Sequence, residues 1–166
     1  SGATEEYNGT GFSAGGTMNT ARYRLQGTAG TATAGIVFGG VEPSVSNKTE
    51  TYNGTAWTSS PYTLNTARWC GGAGVQTSAL AFGGGPSYKN ETEEFDGEGW
   101  TAGNTLNTSR NSLSGAGANA EECLAFGGET SSPPAVATNA TESWDGTSWT
   151  EVNNLNTARY GGYGAG

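Results

Sequence analysis

One phrase is written four times in this chain. T-E-x-aromatic-N/D-G starts at Thr4, Thr49, Thr92 and Thr141, with its aromatic at Tyr7, Tyr52, Phe95 and Trp144. Two further phrases recur in fixed order around it. N-T-A/S-R spans Asn19–Arg22, Asn65–Arg68, Asn107–Arg110 and Asn156–Arg159, and F-G-G begins at Phe38, Phe82 and Phe126. The four arginines follow one another at intervals of 46, 42 and 49 residues. A period of about 40–50 residues with four strands per unit is the signature of propeller blades, in which no repeat can bury its apolar face alone.

Each phrase predicts a strand or a turn. The glycine-rich runs after N-T-A/S-R, such as Gly71–Gly74 and Gly115–Gly117, suit a first strand crowded near a central axis. The apolar runs ending in F-G-G predict a buried second strand closed by a glycine turn. The T-E-x-aromatic stretch predicts a half-buried, alternating third strand. Asn-Gly or Asp-Gly then makes a tight hairpin, and the fourth strand carries Phe12, Trp57, Trp100 or Trp149, whose rings are expected to pack on a neighbouring unit. With 29 glycines, the chain has little capacity for helix. The predicted class is all-β, built from four-stranded antiparallel blades.

In this order the phrases resemble the kelch repeat: a glycine pair after the second strand, an aromatic and turn after the third, a Trp on the fourth, and an Arg closing the unit. Phe38-Gly39-Gly40, Tyr52-Asn53-Gly54, Trp57 and Arg68 match within one unit, and the resemblance covers essentially the whole chain. The fuller wording T-E-x-Y-N-G-T-x-W-T…L-N-T-A-R is similar to divergent kelch-like repeats of marine bacteriophage fibre and structural proteins. That likeness implies a kelch-like β-propeller used for adhesion or assembly on a virion or another extracellular surface.

Laid out by strand, residues 1–18 supply the last two strands of a blade. Residues 19–63, 64–105 and 106–154 supply three full blades, and 155–166 the first strand of another. Three blades are few for a closed ring. Three arrangements fit: a piece of a larger propeller, a ring closed by another chain, or a fourth blade made from the two partial ones and lacking its second strand. The absence of an initiator Met and of a signal-like start adds the expectation of a processed or partial polypeptide.

Residues repeated in every blade are expected to serve the scaffold. These are Arg22, Arg68, Arg110 and Arg159 with Glu5, Glu50, Glu93 and Glu142, and Trp57, Trp100 and Trp149. No catalytic residue is assigned. The chain has no histidine, the commonest general base and metal ligand, so the kelch-like copper oxidases are not matched. Asp96 and Asp145 occupy hairpin turns. No loop carries the spaced oxygen ligands of a calcium site, and no metal or cofactor is expected. Cys70 and Cys123 are expected as buried free thiols.

The connections between F-G-G and T-E vary while their flanks stay fixed: VEPSVSNK, GPSYKNE and ETSSPPAVATNA. Loops on a rigid scaffold are where recognition concentrates. Glu42, Tyr88, Lys89, Ser131 and Ser132 are therefore the candidate ligand-binding residues. A net charge of −8 with seven basic residues argues against nucleic acid and anionic membranes. No apolar run reaches the ~20 residues of a membrane span. The expected partners are a host-surface glycan or protein, other virion or surface proteins, and copies of the chain itself. A polysaccharide hydrolase or lyase and a purely structural spacer are the rival readings.

Overall fold

A computed structural model of the chain describes residues 1–130, 134–162 and 164. Every described element is a strand. Strands β1 (Glu5–Tyr7) and β2 (Phe12–Ala14) form a hairpin. Three four-stranded antiparallel sheets follow. Blade 1 contains β3 (Thr28–Thr31), β4 (Ala34–Phe38), β7 (Thr49–Tyr52) and β8 (Trp57–Ser59). Blade 2 contains β9 (Trp69–Val75), β10 (Ser78–Gly85), β11 (Lys89–Phe95) and β12 (Trp100–Gly103). Blade 3 contains β13 (Ser114–Asn119), β14 (Glu122–Phe126), β15 (Thr141–Trp144) and β16 (Trp149–Val152). The short strands β5 (Val41–Glu42) and β6 (Ser44–Val45) form a small hairpin inside the first variable connection, where a plain loop is expected. Among the described residues of 155–166 no strand forms.

The first strands β3, β9 and β13 pack side by side, which gives a propeller-like arrangement that stays open. Glycine permits this approach. A Cβ on Gly72 would lie 2.7 Å from Phe38 Cζ and 3.0 Å from the Thr28 amide nitrogen. A Cβ on Gly164 would lie 1.9 Å from the Gly115 carbonyl oxygen and one on Gly115 would lie 2.5 Å from that of Gly72, so Gly164 continues the series without being part of a strand. Both glycines of F-G-G have positive φ, 67° and 92° at Gly39 and Gly40, where a side chain is strained. The hairpin turns share one device. Asn8, Asn53, Asp96 and Asp145 each use Oδ1 to accept two backbone N–H groups two and three residues ahead.

The core lies between blades. Ile36, Phe38, Leu64, Cys70, Ala79, Ala81, Phe95 and Trp100 join blades 1 and 2. Leu80, Phe82, Leu106, Leu113, Cys123, Trp144 and Trp149 form most of the matching cluster between blades 2 and 3. The fourth-strand tryptophan meets the F-G-G phenylalanine of the preceding blade edge-on. Ring centroids are 4.7 Å apart for Phe38 and Trp100 and 5.2 Å for Phe82 and Trp149. Its indole N–H donates to the threonine of the preceding T-E, Trp100 to Thr49 at 3.1 Å and Trp149 to Thr92 at 2.9 Å. Trp57 stands 3.4 Å from Thr4.

The third strands do not alternate as expected. Thr49 and Glu50, Thr92 and Glu93, and Thr141 and Glu142 are all buried as adjacent pairs. Adjacent side chains point to opposite faces, and both faces are occupied: the threonines of blades 1 and 2 take the next blade's indole, and each glutamate takes an arginine. Arg22 pairs with Glu50 at 2.9 Å, Arg110 with Glu142 at 2.8 Å, and Arg68 with Glu93. The same carboxylates accept backbone N–H groups from Asn19 and Thr20, Asn65 and Thr66, or Asn107. The N-T-A/S-R phrase is thus a plug that crosses from one blade and seats in the next. Cys70 and Cys123 are buried and free.

Candidate binding face

Strand direction alternates within each blade, so two sets of connections emerge on one side. These are the segments after each repeated arginine and the variable segments between second and third strands. Four non-glycine residues with positive φ are described, and all belong to these segments: Arg24 (53°), Ser87 (71°), Tyr88 (33°) and Ser112 (52°). Such backbone is uncommon outside glycine and concentrates at functional surfaces.

Glu42, Tyr88 and Lys89 all lie in this set, but two of them are engaged locally. Glu42 accepts hydrogen bonds from Ser46 at 2.7 Å and Lys48 at 3.0 Å. Burial opposes ionisation of Glu42. The Ser46 and Lys48 contacts and the Lys48 and Arg22 charges outweigh it and lower the carboxyl below its ordinary value. Lys89 is tied to Glu91 at 2.9 Å. Their polar groups hold their own loops in shape. Ser131 and Ser132 lie outside the described residues.

A different set of residues converges. Arg24, Gln26, Trp69, Asn111, Ser112 and Glu129 line an open depression of about 380 Å³. The Arg24 guanidinium stands 4.6 Å from the centre of the Trp69 ring, a cation–π contact. Trp69 Nε1 donates to Asn111 Oδ1 at 2.8 Å, and the same oxygen accepts the Ser112 amide. Asn111 and Glu129 exchange backbone hydrogen bonds of 3.0 and 2.8 Å. Gly85 lies so close to the Trp69 ring that no Cβ would fit. All three blades therefore contribute, and the tryptophan is fixed from two directions. Gln26 also borders the passage toward the axis, where Thr28, Gly72 and Gly115 take over. The axial space itself is about 190 Å³ and is lined by glycine, alanine and threonine.

These residues escaped the sequence reading, although a signal was present. Arg24 and Ser112 stand two residues after a repeated arginine, and Trp69 and Asn111 one residue after. At those two offsets the units read Tyr-Arg, Trp-Cys, Asn-Ser and Tyr-Gly, between phrases that barely change. Variation inside an otherwise fixed repeat marks them as well as loop length marks the longer connections.

The repeated arginines do not contribute to this depression. Arg22, Arg68 and Arg110 do not line it and are buried with their glutamates. Trp100 and Trp149 are buried between blades and Trp57 is half-buried. No protein-family model matches the chain, and no curated protein matches it.

Proposed function

We propose that this chain is a non-enzymatic binding module. In this reading it is a kelch-like propeller segment of a phage fibre or another extracellular surface structure that recognises a host-surface glycan or protein. The observation that carries the reading is the depression of Arg24, Gln26, Trp69, Asn111, Ser112 and Glu129. It is the place where side chains from three blades depart from the repeat and converge. Its chemistry favours the glycan. Amide, hydroxyl and guanidinium groups set beside an aromatic ring match the hydroxyl edges and C–H faces of a sugar, with few polar groups fixing orientation. One carboxylate, Glu129, lines it, whereas glycoside hydrolysis uses two roughly 5–10 Å apart.

A glycan array followed by a reducing-end assay tests this. Binding that weakens at least tenfold in Arg24→Ala and in Gln26→Ala, with no new reducing ends, supports it. New reducing ends would make the protein an enzyme. Silence on the whole array, with no affinity for host-surface protein, would make it a spacer.

A further inference from the structure

The contacts between blades follow a rule, and the rule is interrupted at two surfaces that complement each other. The first is the outer side of blade 3. Thr141 Oγ1 is buried and has no hydrogen-bond partner among the described residues, whereas Thr49 and Thr92 receive an indole N–H at the same place. Phe126 is half-buried and meets no tryptophan, unlike Phe38 and Phe82. Leu124 on the same strand is 40% exposed.

Arg159 completes this surface. Its backbone is pinned to blade 3 as Arg68 is to blade 1. Gly128 N–H donates to the Arg159 carbonyl at 2.8 Å and Gly40 N–H to the Arg68 carbonyl at 3.0 Å. Arg68 and Arg110 then reach a glutamate of the next blade, but among the described residues the exposed Arg159 side chain forms no ion pair and donates one hydrogen bond, from Nε to the Thr157 carbonyl at 3.3 Å. The plug is formed and its socket is empty.

The second surface is the hairpin β1–β2, which has the register of every other third and fourth strand. Tyr7 faces Phe12 as Tyr52 faces Trp57 and Phe95 faces Trp100. Glu5 occupies the position of Glu50, Glu93 and Glu142, yet it is exposed and forms no ion pair among the described residues. Phe12 is 71% exposed. Among the described residues, one surface offers a guanidinium without a carboxylate and a phenylalanine without a tryptophan, and the other a carboxylate without a guanidinium and a phenylalanine ring paired with Tyr7 of its own hairpin alone.

We propose that the β1–β2 hairpin of a second copy docks on the outer side of blade 3, with Arg159 of one copy paired to Glu5 of the other. Phe12 then meets Phe126 edge-on as Trp100 meets Phe38, and the Ala3 carbonyl takes the place of Lys48 and Ala140, whose carbonyls accept from Arg22 and Arg110. The contact is heterologous, so it builds a ring where the rotation closes and a filament where it does not. One bond of the rule is not restored, because Phe12 has no N–H for Thr141. This inference does not depend on the glycan reading, since the residues it uses lie outside the depression.

The test is the mass of the polypeptide by light scattering and native mass spectrometry across a concentration series. The expected result is concentration-dependent self-association. Glu5→Lys and Arg159→Glu, both exposed, each leave a monomer, because like charges then meet. An equimolar mixture of the two variants associates again, since every junction in it pairs opposite charges. Phe12→Trp supplies the missing donor and tightens association about fivefold, the worth of one net hydrogen bond, and Thr141→Val removes that gain. A monomer at every concentration overturns the proposal. So does association that survives both charge reversals, or single variants that fail to recombine.

Discussion

Arg68 and Glu93 form a fully enclosed ion pair, and the carboxylate of that pair also holds the backbone of Asn65 and Thr66 and the side-chain amide of Asn65. One glutamate of blade 2 thereby fixes the segment that arrives from blade 1. Its removal strands a buried guanidinium and two backbone amides at once, and takes one of two acceptors from the Asn65 side-chain amide.

Glu93→Leu and Arg68→Met are therefore expected to cost about 3–5 kcal/mol each, the penalty for leaving one partner of a buried pair uncompensated. Arg159→Ala, at the exposed equivalent, is expected to stay within about 0.5 kcal/mol. Urea unfolding of the three variants, monitored by tryptophan fluorescence at a concentration where each is monomeric, gives the comparison.

The threonines of T-E divide in the same way. Thr92→Val deprives the Trp149 indole of its acceptor and is expected to cost about 1–3 kcal/mol, the penalty for a buried unmade hydrogen bond. Thr141→Val removes a buried oxygen that has no hydrogen-bond partner among the described residues and is expected to be neutral or stabilising. Equal losses in the two variants would refute the inter-blade role of the indole bond.

Two carboxyls give opposite pH signatures. Glu94 is pushed above its ordinary value, first by burial and then by the Glu121 charge. A carboxyl whose folded pKa exceeds its unfolded 4.5 weakens the fold above that range and stops doing so once protonated in both states. Glu94→Gln is expected to raise the urea midpoint at pH 7, with the gain gone by about pH 4. Asp145 is held below its ordinary 3.8 by the Ser148 and Thr147 amides. Its contribution is present above that value and is lost as pH falls through the folded pKa, so Asp145→Asn flattens the acid limb. The turn itself survives that change, as Asn8 and Asn53 show.

The thiols of Cys70 and Cys123 are pushed up by burial to about 11 and about 12. Thiolate is the reactive form. Both are expected to resist a disulfide reagent at pH 8 in the native protein and to react within seconds in 6 M guanidinium. Rapid native labelling would show that the inter-blade core opens.

The strand order was legible because each strand is announced by a separate phrase, and the hairpins because Asn-Gly and Asp-Gly have one low-energy use. The recurrence of Arg22, Arg68, Arg110 and Arg159 stood out in the sequence. Their partners did not, because sequence spacing cannot show that a side chain seats in the blade after the one that holds its backbone. The Thr–Trp bond was hidden for a similar reason, since Thr49 and Trp100 are joined only by the packing of two blades. The small hairpin β5–β6 has no turn signature beyond Pro43. Trp69 and Asn111 were obscured by the regular phrases beside them, and their meeting depends on the angle between blades 2 and 3.

The arginine segment has a mechanical consequence. The Arg68 carbonyl is gripped by blade 1 and its guanidinium by blade 2, and Arg110 bridges blades 2 and 3 in the same manner. Tension applied along the chain must break a buried charge pair before any sheet can separate from its neighbour. The yielding unit under load is then the clasp between blades, so the protein should part under force in a few abrupt steps spaced by one repeat.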